Sequence, residues 1–213
     1  MIKVWGRKTS SNVQALMWRI GDLGLEHIRY DIGHRYGGTD TPEFIAMNPN
    51  KTIPVLQDGE NAALWETGAV LRYLANQYGD DLFWPKDFLV RTNVDKWAEW
   101  AKLNVASGFT VPVFWNVVRT APKDRDHETI QGVVRRLEQK LQIADQRLQT
   151  NSYLAGSDFT LADIQFGHIL FRYYDVEIER AELSALRAYY DRLTRRPAFV
   201  EHVMISYKEL QVV

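Results

Sequence analysis

The sequence predicts two domains of different fold class, an α/β domain over residues 1–80 and an all-α domain over residues 88–213. In the first stretch, short β-type segments alternate with segments of helical periodicity, which is typical of a sheet covered by helices. The pattern changes after Gly79-Asp80-Asp81, where Trp84-Pro85 interrupts the chain and the later periodic segments are all helical. The boundary is therefore predicted between residues 80 and 88.

The first domain is predicted to contain four strands and three helices in the order βαβαββα. Each strand prediction rests on a short apolar or β-branched run, and each helix prediction rests on apolar residues that recur every three or four positions. The strands are expected at residues 2–5, 27–32, 53–57 and 62–65, and the helices at 12–23, 42–47 and 67–78. This order predicts a small mixed sheet with helices on both faces.

Helical periodicity dominates the second domain, where helices are expected at residues 90–105, 128–149, 161–173, 181–194 and 198–208. Thr160 and Asp163 have the spacing of a capping box, in which the threonine is the N-cap and the carboxylate reaches back to its amide. Their role is expected to be structural. Replacing Asp163 by Ala should cost about 1 kcal/mol or more.

Composition excludes several classes of function. The chain has 213 residues, 46% of them hydrophobic, and its 26 basic and 27 acidic residues are mixed along the sequence to a net charge of -1. This balance gives no basis for binding nucleic acid or an anionic membrane. No apolar run reaches the roughly 18 residues that span a bilayer, and Met1 to Trp5 reads as a strand and not as a secretory signal. The expected location is the cytoplasm.

The chain contains no cysteine, which excludes disulfides, most structural zinc sites and C-x-x-C redox chemistry. Any thiol used in a reaction must therefore arrive with a ligand. The five histidines show no metal-ligand spacing, and His168 lies in an apolar helical stretch where a packed core histidine is expected. No metal site is predicted.

The run from Asn48 to Leu56 and the pair Glu66-Thr67 point to a small peptide-like ligand. Pro54 opens a strand, and a cis bond before it would turn the N–H and C=O of Ile53 outward, where they can pair with an extended peptide. Glu66-Thr67 stands where a strand meets a helix, and free amide donors there favour an α-carboxylate. Thr67 adds a hydroxyl donor and Glu66 an acceptor for an ammonium. One end of a small zwitterion would fit.

The order and spacing of these motifs resemble the glutathione S-transferase family, whose first domain has a thioredoxin-like fold. Two later stretches extend the resemblance along the chain, because residues 157–164 resemble the family's C-terminal capping motif and residues 192–199 its closing helices. The resemblance implies that Ile53, Pro54, Glu66 and Thr67 bind glutathione as co-substrate. The family's phi-type members place a His-Lys pair before the third strand, which this chain lacks, and Lys51 is then the nearest cation for the glycyl carboxylate.

Activation of the glutathione thiol requires a donor at the end of the first strand. The segment Thr9-Ser10-Ser11-Asn12 crowds three hydroxyls at one helix start, where N-capping is the alternative reading. The Ser-x-Asn-Val spacing of Ser10, Asn12 and Val13 resembles serine-type transferases of the plant phi kind, whereas bacterial nu-type members carry Thr-x-Asn. Ser10 is therefore the first candidate for the thiolate donor, with Asn12 as helper. Thr9 and Ser11 stay as alternates.

The resemblance places the electrophile site against the first helices of the α-domain, where aromatic residues are concentrated. Most of these are expected in the core, since an aromatic stripe at helical spacing is usually packing. Phe109, Trp115 and Arg119 follow a break predicted at Gly108 and are expected to face the substrate, with Arg119 favouring an anionic or carbonyl-bearing compound.

The function implied by the resemblance is a homodimeric glutathione transferase of the detoxification type, acting on hydrophobic electrophiles without a metal. A glutathione-dependent disulfide or peroxide reductase is the alternative within the same chemistry. A third alternative is a non-catalytic binding protein that has kept the fold. The joint presence of Ser10, Pro54, Glu66 and Thr67 argues against this third alternative.

Overall fold

A computed structural model describes residues 1–212 and divides the chain into two compact units. The first comprises residues 1–80 and 197–205, and the second comprises residues 81–196 together with the described residues from 206 onward. Among the described residues, no helix combines the length and apolarity needed to cross a membrane.

The first unit contains a four-stranded mixed sheet with strand order β2-β1-β3-β4. β1 runs parallel to β2 and antiparallel to β3, and β4 pairs antiparallel with β3. The strands and helices are β1 (Ile2–Trp5), α1 (Ser11–Asp22), β2 (His27–Tyr30), α2 (Pro42–Met47), β3 (Val55–Asp58), β4 (Leu64–Trp65) and α3 (Thr67–Tyr78). The predicted βαβαββα order is confirmed. β4 is shorter than expected, because only Leu64 and Trp65 find partners on β3.

The core of this unit forms where the sheet meets α1 and α3. The buried apolar side chains on one face of each helix pack against alternate residues of β1 and β3, as amphipathic periodicity requires. The cluster includes Ile2, Val4, Val13, Leu16, Ile20, Leu56, Val70 and Leu74. α1 also packs against α11 (Pro197–His202), through the edge contact of Trp18 with Phe199. This contact explains why residues 197–205, which the sequence places with the all-α part, group with the first unit.

The second unit is helical throughout its described residues. It contains α4 (Phe88–Trp100), α5 (Ser107–Phe109), α6 (Asn116–Val118), α7 (His127–Leu148), α8 (Leu161–Gly167), α9 (Leu170–Asp175) and α10 (Ser184–Leu193). Short 3-10 turns occupy Pro122–Asp124 and Lys208–Leu210. An α/β unit with a mixed sheet and a helical unit were the two predicted fold classes, and both are confirmed.

The expected break at Gly108 does not end the helix. α4, α5 and α6 are joined by two π-helical segments, Ala101–Ala106 and Thr110–Trp115, into one helical run. The wider π turns accommodate Pro112, which has no N–H to donate and would clash with the preceding turn of an α-helix. The predicted helix over 161–173 is likewise interrupted, at His168 and Ile169.

His168 is a core residue, as the sequence predicts. It is buried, its Nδ1 lies 3.0 Å from the carbonyl of Ile164, and burial lowers its pKa to about 3. The imidazole is therefore neutral at physiological pH, with Nδ1–H as the donor to that carbonyl.

Candidate functional site

The three hydroxyls before α1 differ in exposure. Thr9 and Ser11 are only 1% and 7% exposed, whereas Ser10 is half-buried. Ser10 is the N-cap of α1 with an extended backbone, but its hydroxyl makes no capping hydrogen bond. Its main chain is fixed, because its N–H donates to Arg7 O at 3.1 Å and its C=O accepts from Gln14 N at 2.8 Å. The Ser10 hydroxyl is thus the accessible one at the N-terminus of α1.

The loop before β3 is organised by a buried asparagine. The Asn48 Nδ2 donates to the carbonyl of Thr52 at 2.8 Å and to its hydroxyl at 3.2 Å, while Oδ1 accepts from the N–H of Asn50 at 3.0 Å. Lys51, at the exposed tip, has a left-handed backbone with φ of 57°. Asn48 therefore fixes the path by which the chain approaches Ile53 and Pro54.

The Ile53–Pro54 peptide bond is cis. The ladder of β3 begins at Val55, opposite Trp5 of β1, so the N–H and C=O of Ile53 lie outside the pairing of the sheet. Gly6 passes close to this segment, since a Cβ at Gly6 would lie 3.3 Å from the Ile53 Cβ and 2.5 Å from the Val13 Cγ2. Only glycine fits here without displacing one of these side chains.

Glu66 and Thr67 begin α3. Glu66 is the N-cap and has a left-handed backbone with φ of 67°, which is uncommon for a non-glycine residue and is typically retained at functional sites. Its carbonyl accepts from Val70 N at 2.9 Å, but its exposed side chain makes no capping bond. The Thr67 side chain is buried, and the first turn of α3 carries no acidic residue. The positive end of the helix is therefore not neutralised from within.

These segments converge on one cleft of about 180 Å³ within the first unit. It is lined by Asn12, Thr52, Ile53, Pro54, Glu66 and Thr67. Sites that enclose a whole small-molecule ligand are usually larger, roughly 300 Å³ or more, so this cleft matches one end of a peptide-sized ligand. Five of the predicted site residues line it. Ser10 and Lys51 do not, although Ser10 precedes the lining residue Asn12 by two positions.

The residues predicted for the electrophile have different environments in the second unit. Phe109 is 1% exposed, and its ring lies 6.0 Å from that of Phe114 and 6.1 Å from that of Tyr173. Contrary to expectation, it therefore packs in the core and presents no surface to a ligand. Trp115 is 38% exposed, and the Arg119 guanidinium lies 4.3 Å from its ring centroid. These two residues meet at a surface.

Asn48, Thr52 and Gly6 have no predicted role of their own, although Asn48 and Thr52 lie within the run from Asn48 to Leu56. An Asn-Pro pair suggests only a turn, and the burial of Asn48 depends on contacts that the local pattern does not show. For Gly6, the available signal was a glycine directly after the first strand and shortly before the hydroxyl cluster, where a close approach of backbone is possible.

A larger cavity of about 810 Å³ lies elsewhere in the second unit, between the start of α7 and the segment after α9. Its lining mixes both charge signs, and several of these groups already have partners. Arg125 Nε donates to Thr120 O, Arg180 Nη2 donates to Val176 O, and Asp175 accepts from the Tyr207 hydroxyl. None of the sequence motifs contributes to this cavity.

Comparison with known proteins follows the same division of the chain. Residues 1–76 match the family model for the glutathione S-transferase N-terminal domain, and residues 106–197 match the model for the C-terminal domain. Glutathione S-transferase GstB of Escherichia coli is 31% identical over 206 residues, which cover 96% of this chain and 99% of that protein.

A solved structure extends the likeness to three dimensions. The theta-class glutathione S-transferase of Xanthomonas axonopodis pv. citri, crystallised with glutathione bound, superposes with a TM-score of 0.91 at 38% identity, covering 96% of this chain and 98% of that one. The disulfide-bond oxidoreductase YghU of Escherichia coli is 27% identical over 172 residues, which cover 78% of this chain but 58% of that protein.

Proposed function

This chain belongs to the glutathione S-transferase family, and from that premise we propose that it binds glutathione in the cleft of its first unit and joins it, through its thiol sulfur, to a hydrophobic electrophile. Its activity is that of a glutathione transferase in the general sense of the family. The observation that carries the proposal is the convergence of Ile53, Pro54, Glu66 and Thr67 on one cleft.

Each group in the cleft matches one part of glutathione. The Thr67 hydroxyl and the first amides of α3 would hold the α-carboxylate of the γ-glutamyl end, because helix N-termini favour anions. The exposed Glu66 carboxylate would accept from the ammonium beside it. The N–H and C=O of Ile53 would pair with the peptide backbone of the ligand, since the sheet does not use them. Lys51, which does not line the cleft but lies at the exposed tip of the loop before Ile53, would meet the glycyl carboxylate.

The Ser10 hydroxyl would favour the thiolate. A cysteine-like thiol has a pKa near 8.5, and lowering this pKa by about two units requires roughly 2.7 kcal/mol of preferential interaction with the anion. One hydroxyl donor together with the N-terminus of α1 can supply this amount. The first turn of α1 has no acidic residue to oppose an anion. Asn12 would assist, while the burial of Thr9 and Ser11 favours Ser10 among the three hydroxyls.

Ultraviolet titration of the bound thiol tests this assignment. The absorbance of the thiolate is followed against pH in the wild type and in Ser10→Ala, with Thr9→Ala and Ser11→Ala as matched hydroxyl deletions. We expect a lowered thiol pKa in the wild type that returns toward 8.5 only in Ser10→Ala. Binding without a lowered pKa in the wild type would favour the non-catalytic binding protein, and a shift abolished in another variant would reassign the donor.

A glutathione-dependent disulfide or peroxide reductase is the second candidate, supported by the likeness to YghU. The product distinguishes the two reactions. A transferase accumulates a thioether conjugate of glutathione, whereas a reductase accumulates oxidised glutathione. Mass spectrometry of the products formed from an aryl or benzyl halide, and separately from a hydroperoxide, decides between them.

We also propose that the protein acts as a homodimer in the cytoplasm. Support for the dimer comes from the start of α4, where Phe88 and Leu89 are 81% and 82% exposed and Val90 is also exposed. Three consecutive exposed apolar side chains are unusual on a monomer and are typical of a contact surface. Sedimentation analysis of the purified protein measures the oligomeric state.

A further inference from the structure

A charged pair at the end of β2 holds the segment that leads from β1 to Ser10. β1 and β2 run parallel, residue against residue, so both strands leave the sheet at the same edge. There the Arg29 Nη1 donates to the carbonyl of Gly6 at 2.9 Å. The same nitrogen donates to Asp31 Oδ1 at 2.5 Å, and Nη2 donates to Oδ2 at 3.4 Å. The guanidinium therefore joins the main chain beyond β1 to the carboxylate beyond β2.

The carboxylate of Asp31 acts on a later peptide group of the same segment. The hydrogen bond from Arg29 lowers the pKa of this carboxyl, partial burial opposes the change, and the backbone N–H of Lys8 lowers the pKa further. Asp31 is therefore ionised at neutral pH and attracts the Lys8 N–H. The Lys8 carbonyl accepts from Nε2 of the buried Gln14 at 3.1 Å. Side chains thus engage both main-chain polar groups of Lys8.

Main-chain hydrogen bonds complete the support of this segment. The N–H of Gly6 donates to Tyr30 O at 2.9 Å, and the N–H of Arg7 donates to Ile32 O at 3.1 Å. The carbonyl of Arg7 accepts from the N–H of Ser10 at 3.1 Å. A connection without regular secondary structure owes its conformation to such contacts. The end of β2 and the residues after it therefore determine the path of the chain between β1 and Ser10.

The direction of the Ser10 hydroxyl depends on this segment. The hydroxyl makes no capping hydrogen bond, so its position follows from the backbone that carries it. A hydrogen-bond donor stabilises an anion only at short range and in good alignment. Displacement of a group at a reacting centre by about 1 Å can lower a rate by about 100-fold. A change at Arg29, which does not line the cleft, can therefore reach the thiol through the main chain.

We propose that Arg29 and Asp31 are positioning residues for thiol activation, which hold the chain before Ser10 so that its hydroxyl meets the sulfur of bound glutathione. The inference rests on the proposed transferase function and adds two residues to its site. Among residues 1–212, neither side chain forms a hydrogen bond with Glu66 or Thr67, which would bind the γ-glutamyl end. Loss of the pair should therefore weaken activation of the thiol while leaving the affinity for glutathione nearly unchanged.

A purely structural role is the competing explanation for the pair. The side chains of Arg29 and Asp31 are 21% and 36% exposed, and ion pairs of such exposure contribute little to stability. A structural role predicts a lower unfolding midpoint and a smaller folded fraction, with an unchanged thiol pKa in the protein that remains folded. A positioning role predicts a higher thiol pKa in the folded protein.

The experiment follows the ultraviolet absorbance of the thiolate of bound glutathione against pH, in the wild type and in Arg29→Met. The substitution removes the guanidinium donors and keeps an apolar stem. We expect the pKa of the bound thiol to rise by about one from its wild-type value, toward the pKa of about 8.5 of a free thiol. The dissociation constant for glutathione, measured by calorimetry, should change less than about threefold.

The pH profile of turnover gives a second readout. With benzyl chloride as electrophile, Arg29→Met should lower kcat by about five- to tenfold near pH 6.5, because a smaller fraction of the thiol is ionised. The two profiles should converge above about pH 9, where the thiol is ionised in both proteins, while KM for glutathione changes little. A loss confined to the folded fraction would not follow the titration of the thiol.

Two further variants test the pair itself. Arg29→Lys should recover part of the activation, because its ammonium can still donate to the Gly6 carbonyl or to Asp31 but lacks the planar fork that engages both. Asp31→Asn removes the charge at nearly constant shape and should also raise the thiol pKa. Arg187→Met is the matched control, since it breaks an ion pair with Asp191, 3.1 Å long, on α10 of the second unit. It should leave the thiol pKa unchanged.

The outcomes separate the inference from the function on which it rests. A wild-type thiol pKa and a wild-type pH profile in both Arg29→Met and Asp31→Asn would overturn the inference and leave the transferase function intact. A weaker affinity for glutathione at an unchanged thiol pKa would also overturn it, since the pair would then shape the binding surface. If Arg29→Met does not fold, Arg29→Lys and Asp31→Asn decide by the same readouts. A wild type that binds glutathione without lowering the thiol pKa, and forms no conjugate, would overturn both.

Discussion

Removal of the Asp163 carboxylate should destabilise the second unit strongly. Asp163 is fully buried, and its two oxygens accept four hydrogen bonds. Oδ2 accepts from the N–H and hydroxyl of Thr160 at 2.8 and 3.1 Å, while Oδ1 accepts from Leu154 N and the Tyr189 hydroxyl, both at 2.9 Å. The capping box predicted from the sequence thus accounts for the hydrogen bonds between Thr160 and Asp163, and the bonds from Leu154 and Tyr189 extend it into a larger network.

Asp163→Ala leaves four buried donors without an acceptor. At about 1 kcal/mol each, the expected loss is about 4 kcal/mol of unfolding free energy, well above the minimum of about 1 kcal/mol set by the cap alone. Asp163→Asn is the finer variant. In this variant an NH2 group replaces one carboxylate oxygen, and it must face the backbone N–H of either Thr160 or Leu154, which cannot accept a hydrogen bond. The Thr160 and Tyr189 hydroxyls can rotate and accept from the NH2 group. We expect a loss of about 1 to 3 kcal/mol.

The pH dependence gives an independent check. Burial raises the pKa of the Asp163 carboxyl to about 6, in spite of its four donors. Because this exceeds the value of about 3.9 in the unfolded chain, the folded state binds the proton more tightly, and stability rises as pH falls from about 6 toward 4. Between pH 7 and pH 5 the wild type should gain about 1.3 kcal/mol relative to Asp163→Asn.

Urea unfolding, followed by circular dichroism at pH 7 and pH 5, measures both quantities. Asp158→Asn is the control. This exposed carboxylate of the same segment accepts, among the described residues, only from the Ser157 hydroxyl, and its replacement should change stability by less than about 0.5 kcal/mol. Glutathione affinity of the folded variants should equal that of the wild type. The reasoning fails if Asp163→Asn is as stable as Asp158→Asn, or if it loses glutathione affinity without losing stability.

Three further perturbations follow from the structure. Asn48→Ala removes the hydrogen bonds that fix the loop before Ile53. We expect the glutathione dissociation constant, measured by calorimetry, to rise about tenfold or more, equivalent to about 1.4 kcal/mol. An unchanged dissociation constant would contradict a positioning role for Asn48. Asp145 on α7 accepts from Leu186 N at 2.9 Å and so caps α10 from a distant part of the chain. Asp145→Ala should therefore lower the unfolding free energy measured in urea by about 1 to 2 kcal/mol. An unchanged unfolding free energy would show that water replaces the cap. Phe88→Asp should shift the sedimenting species from dimer to monomer with unchanged circular dichroism, whereas a dimer that persists would place the interface elsewhere.

Much of the fold is determined by local sequence pattern. The order of strands and helices followed from periodicity, because each amphipathic segment reveals its own buried face within a few turns. The capping box at Thr160 and Asp163 was predictable for the same reason, since both partners lie within one helical turn. Residue type and spacing were enough to predict Pro54, Glu66 and Thr67 as ligand-binding residues, and the structure brings them to one cleft.

Other features were decided only by contacts between distant segments. The start of α10 depends on Asp145, 41 residues earlier in the chain, and the sequence therefore predicted that helix three residues too early. The difference between buried Phe109 and exposed Trp115 depends on Tyr173 and on two π-helical turns that shift the helix face.

The same dependence on distant contacts governs the candidate site. Three adjacent hydroxyls look alike in sequence, and only packing distinguishes the accessible Ser10 from its buried neighbours. The positioning role predicted for Asn48 depends on its burial and on its hydrogen bonds with Thr52 and Asn50, which the local pattern does not show. Periodicity and turn chemistry act over a few residues, whereas burial, cross-helix capping and the convergence of loops depend on the complete arrangement of the chain, which the sequence encodes only collectively.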